Sequence, residues 1–486
     1  MKTIQKILIA NRGEIARRIM RTAASMGIAC VAVYEDEDAE SLYVREADET
    51  ARLHNGFLDQ ADILRIAAKH HVDAIHPGYG FLSENADFVQ RIEKQGLLFI
   101  GPSSSAMQRM GEKTSARTEA KAAQVPLLPG EEIEDATLLT EKQRLELVER
   151  IGLPVVLKAA AGGGGKAQAI VNNFAETTEA FDKVIREAAR LYNSKSLVVE
   201  RYLVKARHVE VQVLGNAAKN NFALFDRDCS AQRNNQKIIE EAPAPNLPDS
   251  VRQELHASAV RLANHVGYSN AGTMEYLFDP VRNECYFLEM NTRLQVEHTV
   301  TEMITGLDLV REQILIASGA ETEYGHVQVT GHAIQARICA EKSDGTYQPS
   351  TGTIETYIEP TGVRIDTGIA QGSIVSGKYD NMLAKLIVHR PTRAEAMQLL
   401  ANKLGQYVIN GIHTNIPLII KLLHDTKFIN MQHYTRYLQT EFEPPRYDAE
   451  TAAALAAILL YETERNEGLK RYGSLAGYSN TAQAAK

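Results

Sequence analysis

Cysteine is scarce: four in 486 residues, at positions 30, 229, 285 and 339, and none in a CxxC pair. That usage supports neither a disulfide framework nor a structural zinc site. No apolar run approaches the roughly 20 residues of a membrane span. A net charge of −8 argues against a sequence-independent grip on nucleic acid. The scattered histidines show no HExxH-like spacing. The turn after the first apolar segment is Asn11-Arg12-Gly13-Glu14 rather than GxGxxG, so a dinucleotide fingerprint is missing. A glycine run at 162–165 is not a Walker A loop, because Ala160 and Ala167 stand where glycine and Ser/Thr are required. The apolar start leads into acidic Glu14 without a cleavage-like site, reading as a first strand, not a signal peptide. A cytoplasmic protein is expected.

What is present is an ordinary globular composition, 44% hydrophobic and 23% charged, long enough for two to four domains. Through residues 1–112 strand-like runs (4–10, 30–34, 73–78 and 97–102) alternate with helical spacing, which predicts a parallel sheet. The segment HPGYGFLSEN (76–85) places two glycines after a strand, near the expected ligand-binding edge. A helical connector is predicted from Met110 to Gln124. LPVVLKAA (153–160) reads as a buried strand carrying Lys158, and the glycines that follow could bring backbone N–H groups against phosphates. HVEVQVLG (208–215) alternates, with His208, Glu210 and Gln212 on one face. The charged stretch 224–245 is expected to be a loop lining a polar cleft.

The stretch EMNTRLQVEH (289–298), read as extended throughout, puts Glu289, Asn291, Arg293, Gln295 and Glu297 in one row. GTMEYLFD (272–279) and CYFLEM (285–290) flank a turn and predict a hairpin. If Phe278 pairs with Tyr286, Glu275 stands opposite Glu289. Two carboxylates that close repel unless a cation lies between them. With the amide of Asn291 they suit Mg²⁺, which takes one or two protein carboxylates and completes its shell with phosphates.

These residues also carry a resemblance. KILIANRGEIARRI (6–19), AIHPGYGFLSENADF (74–88), MGEKTSAR (110–117), RHVEVQVLG (207–215), DRDCSAQR (226–233), QKIIEEAPAP (236–245), EMNTRLQVEH and YDNMLAKLIV (379–388) closely resemble biotin carboxylase, in order, over about residues 2–440. The resemblance implies an α/β ATP-grasp fold with an N-terminal Rossmann-like domain (1–112), a connector (113–130), a lid (131–203) and a mixed α+β C-terminal part (204–446). Residues 447–486 add a helix and tail. It implies ATP, Mg²⁺ (or Mn²⁺), bicarbonate and carrier-bound biotin as cofactors and substrates. Lys113, Lys158, Gly164 and Gly165 would hold phosphates, Glu200 and Leu203 the adenine, and His208, Gln232 and Leu277 would flank the nucleotide. Glu275, Glu289 and Asn291 would hold the metal. Lys237, Arg293, Gln295 and Val296 resemble the bicarbonate site, with Glu297 as base beside Arg293, and Arg337 would stabilise the biotin enolate. A separate biotin carboxyl carrier protein is expected, since no AMKM-like attachment motif occurs, and the resemblance implies carboxyltransferase subunits and a homodimer.

Four departures stand out: Ala161 and Ala167-Gln168-Ala169 around the glycines, Asn235 for histidine, Thr299 for proline and Gln335 for glutamate. They predict looser nucleotide handling by the lid. The alternative reading they suggest is a non-catalytic ATP-binding or scaffold subunit.

Overall fold

The computed structural model describes residues 2–160 and 167–445. The glycines 164 and 165 and the helix expected over 448–470 therefore lie outside the described residues.

Five parallel strands open the chain: β1 (Lys6–Ile9), β2 (Ala29–Tyr34), β3 (Glu49–Arg52), β4 (Ala74–His76) and β5 (Leu98–Phe99), in the order β3-β2-β1-β4-β5. The helices α1 (Gly13–Ser25), α2 (Leu42–Glu46), α3 (Gln60–Lys69) and α4 (Ala86–Lys94) fall between them. Ile7 and Ile9 pack to one side of β1 with Ile15 and Ile19, while Leu8 and Ala10 pack to the other. Both faces of the sheet are thus buried, which is why its strands read as continuous apolar runs.

The connector is two helices, not one. α5 (Ser104–Gly111) and α6 (Lys113–Ala122) are separated by Glu112, whose φ of −96° and ψ of 131° are extended. An antiparallel sheet follows, built from β6 (Gly130–Ile133), β7 (Val155–Ala159), β8 (Gln168–Val171) and β9 (Leu197–Arg201). It is covered by α7 (Glu141–Ile151) and α8 (Thr177–Tyr192) around Leu157, Phe181 and Val199.

The largest sheet has eight strands. β10 (Arg207–Gly215), β11 (Asn221–Arg233), β12 (Gln236–Ala242), β13 (Asn270–Asp279), β14 (Glu284–Asn291) and β15 (His332–Cys339) join two later strands in the order β14-β13-β10-β11-β12-β15-β20-β18. Strands 16 to 21 are β16 (Gly352–Thr353), β17 (Thr356–Ile358), β18 (Arg364–Thr367), β19 (Ile374–Val375), β20 (Met382–Arg390) and β21 (Val408–Asn410). α9 (Asp249–His265) buries Leu255 and Leu262 against Val209, Val211, Val213 and Met274. That leaves the opposite, polar face of β10 and β13 to form a site. α10 (His298–Thr305) packs across it near β11, β12 and β15.

Three expectations change here. The stretch 224–245 is not a loop: it is the hairpin of β11 and β12, and Arg227 within it is completely buried. Its polar residues are satisfied by partners on neighbouring elements, such as Glu210 for Arg227, Glu341 for Arg233 and Arg337 for Glu240, so the low apolar content signals a polar interior, not solvent. EMNTRLQVEH stays extended only to Asn291; the chain then bends, and Glu297 becomes the N-cap of α10. Phe278 pairs with Cys285, not Tyr286, yet Glu275 does face Glu289, because the register shifts between Glu275 and Tyr276. A bulge of this kind re-aims one side of a strand pair without breaking the other.

Candidate active site

The hairpin brings Glu275 opposite Glu289, and β10 brings Glu210 opposite Glu275. Three buried carboxylates converge on one ammonium. Lys237 Nζ donates to Glu210 Oε2 at 2.7 Å, to Glu275 Oε1 at 2.9 Å and to Glu297 Oε1 at 2.6 Å. Burial works against that charge, but the three glutamates more than reverse it and hold the amine well above its ordinary range. Arg227, opposite Glu210 on β11, donates to Glu210 and to Gln295 Oε1 at 2.7 Å. Gln295 in turn donates to Glu275 Oε1 at 2.7 Å.

Glu297 lies between two cations: Lys237 on one oxygen and Arg337 Nη2 at 3.0 Å on the other. Burial would raise its carboxyl; Lys237, with Arg337 and Arg227, outweighs both burial and the neighbouring Glu210 and keeps it below the usual range. Arg293, expected beside Glu297, instead donates to Glu84 Oε2 at 2.9 Å and to Asn291 Oδ1 at 2.7 Å. The bend after Asn291 turns it toward the segment 76–85 and away from the helix cap. That segment is shaped by Gly78 and Gly80, both at positive φ, and a Cβ on Gly78 would meet Asn11 Nδ2 at 2.9 Å.

The oxygen donors fit a hard cation. Asn291 Nδ2 donates to Glu275 Oε1 at 2.9 Å, and Glu289 stands opposite Glu275 in the strand pair, so the three expected ligands are neighbours on one hairpin. His208 Nε2 is 3.2 Å from Glu275 Oε2, and Glu210 joins these two in a group close enough to hold an ion. The His208 imidazole is opposed by burial, yet Glu275 and Glu210 push it up to about 9.

At the lid sheet, Lys158 Nζ donates to Glu200 Oε2 at 2.7 Å, and Arg117 Nη1 holds the other oxygen at 2.6 Å. Glu200, expected against adenine, is here bridged by two cations. Leu203 and Leu277 are both half-buried, and Leu277 lies opposite His208 in the sheet. Gln232 lies opposite Lys237 on the β11–β12 hairpin, and its amide donates to Cys229 O at 2.8 Å. Lys113 is the first residue of α6. Val296 offers its carbonyl to Lys385 Nζ at 3.2 Å.

Lys385, Glu240 and Glu84 were not singled out by sequence reasoning. Lys385 is fully buried on β20, 3.1 Å from Glu14 Oε2 on α1. A lysine inside the apolar alternation Leu383–Val388 was its available signal. Asn235 has a local reason: it and Asn234 form the two-residue turn of the β11–β12 hairpin at φ 63° and 48°. Asparagine tolerates that left-handed geometry best after glycine.

An eight-stranded antiparallel sheet bearing a carboxylate-and-lysine floor, together with a smaller lysine-bearing antiparallel sheet, is the arrangement of an ATP-grasp ligase. Family models agree: "Biotin carboxylase, N-terminal domain" over residues 3–107, "Carbamoyl-phosphate synthase L chain, ATP binding domain" over 112–324, and "Biotin carboxylase C-terminal domain" over 335–440. Biotin carboxylase 1 of Bacillus subtilis is 41% identical over 446 residues, covering 90% of this chain and 98% of the relative. The solved biotin carboxylase of Campylobacter jejuni superposes with a TM-score of 0.84 at 39% identity, covering 90% and 99% of the two chains. The biotin carboxylase domain of the Hydrogenobacter thermophilus 2-oxoglutarate carboxylase, in complex with MgADP, ADP and bicarbonate, gives 0.83 at 38%, covering 90% and 98%. The chain belongs to the biotin carboxylase family, whose members are ATP-dependent ligases. It spans 64% of the length of the α subunit of methylcrotonoyl-CoA carboxylase from Glycine max, 44% identical over 95% of this chain, and 59% of the Arabidopsis thaliana one. Relatives of this kind are parts of multi-subunit or multi-domain carboxylases.

Proposed function

We propose that this chain carries out the first half-reaction of a biotin-dependent carboxylase, in which ATP and bicarbonate carboxylate biotin presented by a carrier protein. The observation that carries the proposal is the Lys237 clamp on Glu210, Glu275 and Glu297. Glu275, Glu289 and Asn291 would hold Mg²⁺, which supplies charge neutralisation for the phosphates. Lys113, Lys158, Gly164 and Gly165 would contact phosphates, with Glu200, Leu203, His208, Gln232 and Leu277 around the base and sugar. Arg293, Gln295 and Val296 would bind bicarbonate beside Lys237.

In the present arrangement Glu297 is held ionised but is a weak base, because Lys237 and Arg337 both claim it. An anionic substrate that draws the Lys237 ammonium toward itself restores basicity at Glu297 when a proton must leave bicarbonate. A carbonate oxygen then attacks the γ-phosphorus of ATP, displacing ADP and giving carboxyphosphate, which breaks down to CO₂ and a phosphate that can take the proton from the biotin nitrogen. Arg337 then stabilises the enolate form of biotin that accepts CO₂.

The division into residues 1–112, 113–130, 131–203, 204–446 and 447–486 belongs to this proposal, as do a homodimer, carboxyltransferase partners and a cytoplasmic location. Among the described residues no helix is long and apolar enough to cross a membrane. The test is ATP hydrolysis that requires bicarbonate and rises with free biotin, followed by ¹⁴C-bicarbonate transfer to a biotinylated carrier. ATP binding without either activity would favour the scaffold reading.

A further inference from the structure

Two of the positions where this sequence departs from its family pattern touch each other. Thr299, in the first turn of α10, donates its hydroxyl to Gln335 Oε1 on β15, and both side chains are fully buried. Gln335 Nε2 donates to Glu240 Oε2 at 3.0 Å, directly across the β12–β15 pair. The other oxygen of Glu240 accepts from Arg337 Nε, and Arg337 Nη2 reaches Glu297 Oε2 at 3.0 Å. Glu297 caps the same helix that carries Thr299. The hydrogen bonds therefore form a ring: Thr299, Gln335, Glu240, Arg337, Glu297, and back along two residues of α10.

Each link has one allowed direction. An ionised carboxylate only accepts, so the amide must turn its NH₂ toward Glu240 and its oxygen away. That oxygen would be a buried orphan without the Thr299 hydroxyl. With it, Glu240 keeps one oxygen on Gln335 and offers the other to Arg337 alone.

We propose that Thr299 and Gln335 are positioning residues for Arg337 and Glu297, a matched neutral pair that fixes how Glu240 presents the guanidinium to biotin. This rests on the functional reading above. A carboxylate at 335 would instead oppose Glu240 across the strands and compete for Arg337. The charged groups facing Glu240 are Arg337, Glu297 and Lys237, and Cys229 faces Arg337 as well. Burial already raises the Glu240 carboxyl, Arg337 lowers it and Glu297 raises it again. A second acid there would keep a proton between the two to higher pH.

The experiment follows Mg²⁺- and bicarbonate-saturated ATP hydrolysis against free biotin, from pH 6 to 9, in full-length T299V, T299S, Q335M and Q335E. T299V and Q335M should each lower kcat/KM for biotin about tenfold, the scale of one hydrogen bond, with the KM for ATP within about twofold. T299S should restore the unaltered value, and the acid limb of kcat/KM in Q335E should move to higher pH. Unchanged kcat/KM for biotin in T299V and Q335M, or equal losses for ATP and biotin, would overturn the inference. If T299V does not fold, Q335M and Q335E decide it: an unchanged kcat/KM for biotin in Q335M, or an acid limb in Q335E that does not move, overturns the inference. If the unaltered chain shows no biotin-stimulated hydrolysis, the catalytic reading fails instead. The ring is then judged by urea unfolding of T299V, R337K and the double variant: strictly additive midpoint shifts overturn it, and coupled shifts sustain it.

Discussion

Lys237 holds its ammonium 2.6 Å from the Glu297 carboxylate while also bonding Glu210 and Glu275, so three buried acids share one ammonium, with Arg227, Arg337 and His208 each supplying one of them with a second positive neighbour. Removing that ammonium leaves charges that burial cannot tolerate. Lys237→Met should destabilise the fold by about 3–5 kcal/mol in urea unfolding, the cost of breaking a buried ion pair from one side. A loss below about 1 kcal/mol would mean that water or relaxation already screens these carboxylates.

Glu297→Gln is expected to spare ATP binding, measured by calorimetry, because Lys158 and the lid sheet are untouched. Biotin-dependent turnover should fall by roughly two or more orders of magnitude, about the worth of a positioned base. Normal carboxylation by this variant would remove Glu297 from the chemistry.

Glu275→Gln keeps the shape of the hairpin but removes a charge opposite Glu289. The Mg²⁺ concentration for half-maximal ATP hydrolysis should rise by about tenfold or more, with the thermal midpoint changing little in chelator. An unchanged Mg²⁺ requirement would place the cation elsewhere.

Ala167 sits at φ 52°, buried just ahead of β8, a conformation that alanine resists. Ala167→Gly should therefore stabilise the lid sheet by about 1 kcal/mol and lower the KM for ATP. A higher KM for ATP in the glycine variant would show that the strained alanine aids closure.

Acid should unfold this protein partly through histidine. Burial holds His76 near 3 and His433 near 4, with Arg18 adding to the effect at His76; at His433 the opposing charges of Asp228 and Glu241 do not prevent it. Above about pH 6.5 both are neutral folded or unfolded. Below it the unfolded chain takes up protons that the folded one refuses, so stability falls as pH drops toward 4. The slope is up to roughly 1.4 kcal/mol per pH unit for each group. His433→Phe, beside Phe428, should flatten the fall of thermal midpoint between pH 6.5 and 4.5; an unchanged slope would assign the acid sensitivity to other groups.

The parallel sheet was legible because its strands are apolar on both faces; the Glu275–Glu289 pairing was reached because the bulge between Glu275 and Tyr276 offsets the one-residue difference in register near the turn. β11 and β12 were not. Strand reading depends on apolar alternation, and here Arg227, Glu240 and Glu241 take core positions by pairing with Glu210, Arg337 and Arg393 on other elements. The neighbours of Arg293 and Glu297 also escaped, since the bend after Asn291 reorients both and no local pattern announces it. Contacts such as Lys385 with Glu14 depend on residues hundreds apart in the chain.

That last contact bears on how such a protein can be recombined. Lys385 on β20 joins Glu14 of the first helix to the Val296 carbonyl just ahead of Glu297, with Asp366 3.9 Å away. The N-terminal sheet and the far end of the large sheet thus share one buried charge balance. A chimaera that took its first hundred residues from a relative would fold around that lysine only if the donor brought an acid to match Glu14, so crossovers between these two parts are constrained as a pair rather than one at a time.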